Sequence, residues 1–176
     1  MKVNVFTGLL AGTLLVSPFS LQAGGFPESA GIRFGFPVND APDFRQVEAF
    51  ADFNLPLQFE LGTNWLVQTR FDVSAGWLEV DGTGAFIGSL GPSAILSRRG
   101  FPVSLDMGFN PTLMGRRSFP GRDFGMPFEF TSHAGLDWDV GRHFRLGYRF
   151  QHMSNGGLSS PNPGVNMHMF TISYRF

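Results

Sequence analysis

His152 and Ser154 stand two residues apart near the end of the chain, and an imidazole beside a hydroxyl is the minimal equipment of a serine nucleophile. In an extended strand both side chains leave the same face with Cα atoms about 7 Å apart, a spacing their side chains can bridge with a hydrogen bond. A third member follows from pairing. Counting back by twos from Phe176 gives Tyr174, Ile172, Phe170, His168 and Asn166 on one face of a last strand. The antiparallel register that sets Asn166 opposite His152 also pairs Phe150 with His168, Tyr148 with Phe170, Leu146 with Ile172 and Phe144 with Tyr174. All but the topmost pair are apolar or aromatic, so the register is self-consistent and sets Asn166 opposite His152 as the third member. The chain carries no Gly-x-Ser-x-Gly elbow, no His-Glu-x-x-His and no P-loop.

The elements that must hold these residues show in the alternation. Period-two patterning recurs between Gly, Pro, Asn and Asp punctuation and predicts eight strands, starting near Ala30, Gln46, Trp65, Ala85, Pro102, Gly125, His143 and Val165. Trp65, Val67, Phe71, Val73, Ala75 and Trp77 share one face, against Gln68, Arg70, Asp72 and Ser74 on the other. The same division separates Phe101, Val103, Leu105, Met107 and Phe109 from Ser104 and Asp106, and Phe130, Ala134, Leu136, Trp138 and Val140 from Glu129, Thr131, His133, Asp137 and Asp139.

Composition decides what these strands build. A chain of 176 residues with net charge −1 fits one domain and offers no basic stripe for phosphates, which argues against nucleic-acid binding. The absence of Cys excludes disulfides and thiolate metal sites, and no residue cluster implies a metal or organic cofactor. Of the 13 basic residues only Lys2 is a lysine, and it opens a segment of signal-peptide form: an apolar run from Val5 to Val16, then Leu21-Gln22-Ala23 as a small-residue cleavage site. Residues 1–23 therefore read as a signal peptide and residues 24–176 as one exported all-β domain.

A soluble sandwich would bury the apolar faces, whereas a transmembrane barrel turns them to lipid and fills a narrow interior with the polar ones. Export, the large aromatics on one face and the alternating aromatic C-terminus favour an eight-stranded antiparallel transmembrane β-barrel of the outer membrane with a filled polar interior. Arg33, Glu48, Asp52, Arg70, Asp72, Asp106, Glu129, Asp137, Arg145 and Arg149 are expected to pair inside it. From Phe176 to Asn166 is about 33 Å of strand, or roughly 25 Å of height at a tilt near 40°, the full apolar band of such a barrel. His152, Ser154 and Asn166 then lie at the outer rim and face the lipid head-group boundary, where a lipid ester is presented and a water-soluble substrate is not.

Here the sequence resembles a known family, the outer-membrane lipid A 3-O-deacylases, through His152-x-Ser154-Asn155-x-Gly157 followed by Pro161-Asn162 and Gly164. The detailed resemblance covers residues 144–176. It implies an ester hydrolase of the outer leaflet, with lipid A or lipopolysaccharide as substrate and outer-membrane lipids around it. Ser154 would be the nucleophile, removing a 3-O-linked hydroxyacyl chain, and His152 the base that later returns the proton. Asn155 and the backbone N–H near Gly157 would hold the oxyanion, with Asn162 bracing the loop. Members of the family carry Glu where this chain has Asn166, which can orient the ring but supplies no charge. No Asp or Glu lies in the 150–176 segment.

Arg116, Arg117 and Arg122 lie in an outer connection under this topology and are candidate contacts for substrate phosphates, against the blander reading of solvated turn arginines. His168 and His143 read as interfacial or turn residues, and His133 as part of the interior network. Two other function classes fit an eight-stranded barrel: a structural or adhesive barrel, for which Ser154 would be dispensable, and a membrane acyltransferase, which would need an apolar pocket inside. The charged inward faces speak against the latter. A monomer and a homodimer are both compatible with the pattern.

Overall fold

The computed structural model describes residues 26–38 and 42–176; the signal-peptide segment 1–23 lies outside the described residues. The strands are β1 (Ser29–Pro37), β2 (Arg45–Leu61), β3 (Trp65–Val80), β4 (Thr83–Arg98), β5 (Val103–Met114), the short pair β6 (Ser118–Phe119) and β7 (Arg122–Asp123), then β8 (Phe128–Val140), β9 (Phe144–Ser154) and β10 (Val165–Arg175). Eight of them close into a barrel in the order β1-β10-β9-β8-β5-β4-β3-β2, while β6 and β7 form a separate hairpin in the β5–β8 connection. Every neighbouring pair is antiparallel, and β1 joins β10 from Ser29↔Arg175 to Pro37↔Met167. No backbone edge is left open between β1 and β10, which is what a lipid environment demands.

Barrel strands begin within three residues of the positions read from alternation. The largest difference is the start near Gly125, where the strand opens at Phe128. Gly125 has φ +81° and a Cβ placed on it would meet the Pro161 carbonyl oxygen at 2.4 Å, so it belongs to a loop packed on a loop. The β9–β10 register is the predicted one throughout, from Asn166↔His152 to Tyr174↔Phe144.

Alternation sorts the side chains as a membrane barrel requires. Trp77, Phe86, Leu90, Phe109, Leu136, Trp138 and Ile172 point outward and are exposed, while Arg33, Glu48, Asp72, Arg145 and Arg149 are buried within. Arg33 is the hub of that interior. Its guanidinium contacts Asp72, bonds Glu48 at 3.3 Å and lies 3.8 Å from Asp52. Its Cζ also sits 3.6 Å from the Phe50 ring centroid. Arg149 shares Glu48 at 3.2 Å, Asn110 donates to Asp72 at 3.0 Å, His133 meets Asp106 at 3.2 Å and Arg145 reaches Asp139 at 2.7 Å. Glu129 departs from the expected pairing: it is fully buried and neither oxygen has a hydrogen-bond partner.

One layer was not expected from the sequence. At the end bearing the β9–β10 loop, inward Leu78, Val80, Ile87, Met114, Met153 and Met167 join Phe44, Phe119 and Phe124 from the connections in an apolar plug. The three rings meet edge to face at 5.8–6.1 Å. The interior is thus filled throughout, polar in the middle and apolar at this end. A cavity of about 20 Å³ beside Arg33 and Arg149 has room for one water and is too small for an acyl chain.

Removing one partner of a buried ion cluster strands the others, at a cost of about 3–5 kcal/mol. Arg33→Leu is therefore expected to lower sharply the temperature at which the folded barrel loses its compact migration on unheated detergent gels, with Arg33→Lys intermediate. An unchanged transition would show that the three carboxylates do not depend on this residue.

Candidate functional site on the lipid-facing wall

β9 and β10 carry the site, and the ten residues between them complete it. His152 lies on the outer face near the top of β9, exposed, with Asn166 opposite on β10. His152 Nδ1 and Asn166 Oδ1 are 2.7 Å apart. An amide oxygen only accepts, so Nδ1–H is the donor in this contact, and Nε2 is the ring nitrogen left to face other groups. Ser154, half-buried, is the last residue of β9 on the same face and pairs with Phe130 of β8.

Gly164 presses its backbone against both. A Cβ placed there would stand 3.1 Å from His152 Cε1 and 3.5 Å from Ser154 Cβ, and its φ of +58° is one that side chains disfavour. Only glycine lets the loop return this close to the His–Ser pair. The Gly164 carbonyl accepts from Arg122 Nη1 at 3.1 Å, and Pro163 accepts from the same atom at 3.5 Å. The β6–β7 hairpin thereby clamps the loop that covers the pair.

Asn155 is fully buried and its side chain is spent inside the loop. Its Nδ2 donates to the carbonyls of Phe124, Ser159 and Pro161 at 2.8, 3.0 and 3.2 Å, and its Oδ1 accepts from the Gly157 N–H at 2.9 Å. Its own N–H donates to Asn162 Oδ1 at 3.1 Å. The oxyanion duty expected of Asn155 and the Gly157 N–H is therefore corrected: those donors are occupied, and both residues hold the loop. Asn162 braces the loop by accepting from the Asn155 N–H, and among the described residues no hydrogen bond uses its Nδ2.

The arginines also divide differently from the expectation. Arg122 is occupied by the Gly164 and Pro163 carbonyls, and Arg117 donates to the Gly125 carbonyl at 3.0 Å while lying 3.9 Å from Asp123. Each brings one Nη1 to these carbonyls, and the Arg117 side chain stays exposed. Arg116 is exposed at the same end. Among the described residues no carboxylate is hydrogen-bonded to His152: Glu129, next to the Phe130 that pairs with Ser154, is buried on the far side of the wall. Sequence reasoning missed the Arg122 clamp and the closeness of Gly164. The Pro163-Gly164 turn was the available signal for the second, and nothing local signals the first.

Residues 45–175 match the family described as "Lipid A 3-O-deacylase (PagL)". A relative from Bordetella bronchiseptica, "Lipid A deacylase PagL", is 33% identical over 72 residues, 41% of this chain and 40% of that protein. The chain therefore aligns with about two-fifths of the length of that curated relative. In fold it is similar to the "outer membrane enzyme PagL" seen by crystallography, with a TM-score of 0.74 at 14% identity, covering 84% of this chain and 99% of that one.

Gly164→Ala is expected to slow labelling of Ser154 by a fluorophosphonate about tenfold or more while the barrel still folds, because the new methyl must displace the His152 ring. Arg122→Gln should slow it severalfold by loosening the same loop. Labelling at the native rate in both variants would detach the loop from the reactivity of Ser154.

Proposed function

We propose that this chain, which belongs to the lipid A 3-O-deacylase (PagL) family, hydrolyses the 3-O-linked acyl ester of lipid A in the outer leaflet of the outer membrane. The observation that carries the reading is the 2.7 Å bond between His152 and Asn166 beside Ser154, on a wall that otherwise faces lipid. Polar side chains turned toward hydrocarbon are costly unless they serve something. Residues 1–23 would be the export signal that brings the barrel there.

In this mechanism Ser154 Oγ attacks the ester carbonyl as its proton passes to His152 Nε2. Asn166 keeps the ring in the working tautomer by accepting from Nδ1–H. Asn162 Nδ2 donates to the oxyanion, and the tetrahedral intermediate collapses when His152 returns the proton to the departing sugar alkoxide. Water activated by the same Nε2 then frees the fatty acid and restores Ser154. Exposed Arg116 and Arg117 are the candidates best placed for a substrate phosphate, with Arg122 partly exposed beside the loop.

Replacing the acid of a serine triad with its amide costs about 10⁴ in kcat in chymotrypsin-like enzymes, largely because the ring takes the wrong tautomer. An amide that presents Oδ1 to Nδ1–H keeps the working tautomer, and its difference from a carboxylate is then the missing charge. Mass spectrometry of lipid A from Gram-negative cells producing the chain is expected to show loss of one acyl group. Ser154→Ala should abolish the loss and Asn166→Glu should raise its rate about tenfold or more. Unmodified lipid A with both the native chain and Asn166→Glu would favour a structural barrel instead.

A further inference from the structure

Strand length differs from one side of the barrel to the other. β9 and β10, which carry the site, have 11 residues each, whereas β2 has 17 and β3 and β4 have 16. At about 2.5 Å of height per residue, for a tilt near 40°, that is about 28 Å against about 43 Å. The excess lies at the end away from the site. β1 meets β2 from Ser29↔Asp52 to Gly35↔Gln46, and β2 runs on from residue 53 to Leu61 with β3 as its one partner. Short turns at 62–64 and 99–102 close this end, which in an outer-membrane barrel faces the periplasm.

The outward face of the extension stays apolar to its foot. Phe59 opposes Val67 and Leu61 opposes Trp65, on the face that also bears Val73 and Trp77, and Phe59, Leu61 and Trp65 are exposed. On the β4 side Val67 pairs with Leu96 and Trp65 with Arg98. The stripe thus ends in a tryptophan with a guanidinium against it, the Arg98 Cζ lying 5.9 Å from the Trp65 ring centroid. Tryptophan at the end of an apolar stripe marks head-group depth. Beside the pair is a cavity of about 120 Å³ lined by Glu60, Thr63, Asn64, Trp65, Arg98 and Arg99. Arg99 lies 3.5 Å from Glu60, both side chains being mostly exposed, while among the described residues Arg98 pairs with no carboxylate.

We propose that this tip binds one phospholipid of the inner leaflet whose head carries both a phosphate and an amine. Its chains lie on Phe59, Leu61 and Trp65, its phosphate meets Arg98 and Arg99, and its ammonium meets Glu60. An apolar face that outreaches the ordinary band must draw lipid down with it or stand in water. The charges at its foot say which lipid: the arginines offer charge-assisted donors to a phosphate, and the carboxylate one acceptor to a neighbouring cation. A girdle of interfacial Trp and Arg that merely marks depth would not distinguish one head group from another. The site lies at the opposite end of the barrel from the His–Ser pair and is independent of the hydrolase reading.

The test uses the full chain in maltoside micelles, with dimyristoyl phosphatidylethanolamine or phosphatidylglycerol added and bound lipid counted by native mass spectrometry. The native protein is expected to retain one phosphatidylethanolamine, severalfold more tightly than phosphatidylglycerol. Arg98→Gln with Arg99→Gln should weaken both lipids about tenfold, and Glu60→Gln should remove the preference between them. Compact migration on unheated gels confirms that the variants fold, as exposed side chains at turns allow. A native protein that retains neither lipid, or retention unchanged in the double arginine variant, overturns the site. So does displacement of the lipid by water-soluble glycerophosphoethanolamine at equal concentration, which would make it a site for a free phosphate.

Discussion

A closed barrel of eight strands is narrow enough for its own side chains to fill, and where they fill it the chemistry is left to the outer surface. Arg33 and its three carboxylates fill the middle of the lumen, and the apolar plug fills the end near the site. Among the described residues, the face that carries the site is the outer one, where a lipid can approach. A wall one residue thick then separates two environments: Gln151 and Met153 point inward and are buried, while His152 and Ser154 between and after them point out. The charges that stabilise the fold cannot assist the residues on the other side, which is why buried Glu129 is no substitute for an acid beside His152.

Rigidity of the strands is necessary for the site but does not complete it. Strand pairing alone positions His152 against Asn166, because opposite residues on an antiparallel pair bring their Cβ atoms within about 5 Å. The surroundings of Ser154 depend instead on a loop with few backbone ladder bonds of its own, and its order comes from Asn155. One buried amide gathers three carbonyls and one N–H, converting residues 155–164 into a fixed turn over the His–Ser pair. Arg122 then ties that turn to the neighbouring β6–β7 hairpin.

Strand faces and the β9–β10 register were legible because period-two alternation needs no knowledge of distant partners: a slip of one residue would have put Arg145 and Arg149 in lipid. His152, Ser154 and Asn166 inherited that legibility, being three positions on a counted lattice. Loop contacts have no such lattice. Whether Asn155 donates to an oxyanion or to the Phe124 carbonyl depends on where a segment 31 residues away folds back, and the same holds for Arg122 and Gly164 at 42 residues. The apolar plug was missed for a related reason, since Phe44, Phe119 and Phe124 enter it from connections that alternation does not describe.

The amide at position 166 has a physical rationale in its location. A carboxylate on this wall would sit at the boundary of a low-dielectric phase, where burying charge costs several kcal/mol unless a partner compensates it. A Glu here would add an anion to a wall facing lipid, whereas Asn166 orients the same ring at 2.7 Å with no charge to desolvate. What the amide gives up is stabilisation of the transient imidazolium. Under the proposed hydrolytic reading, position 166 therefore trades speed in the chemical step against the stability of the resting wall, and the two residues that can stand there weight that trade in opposite directions.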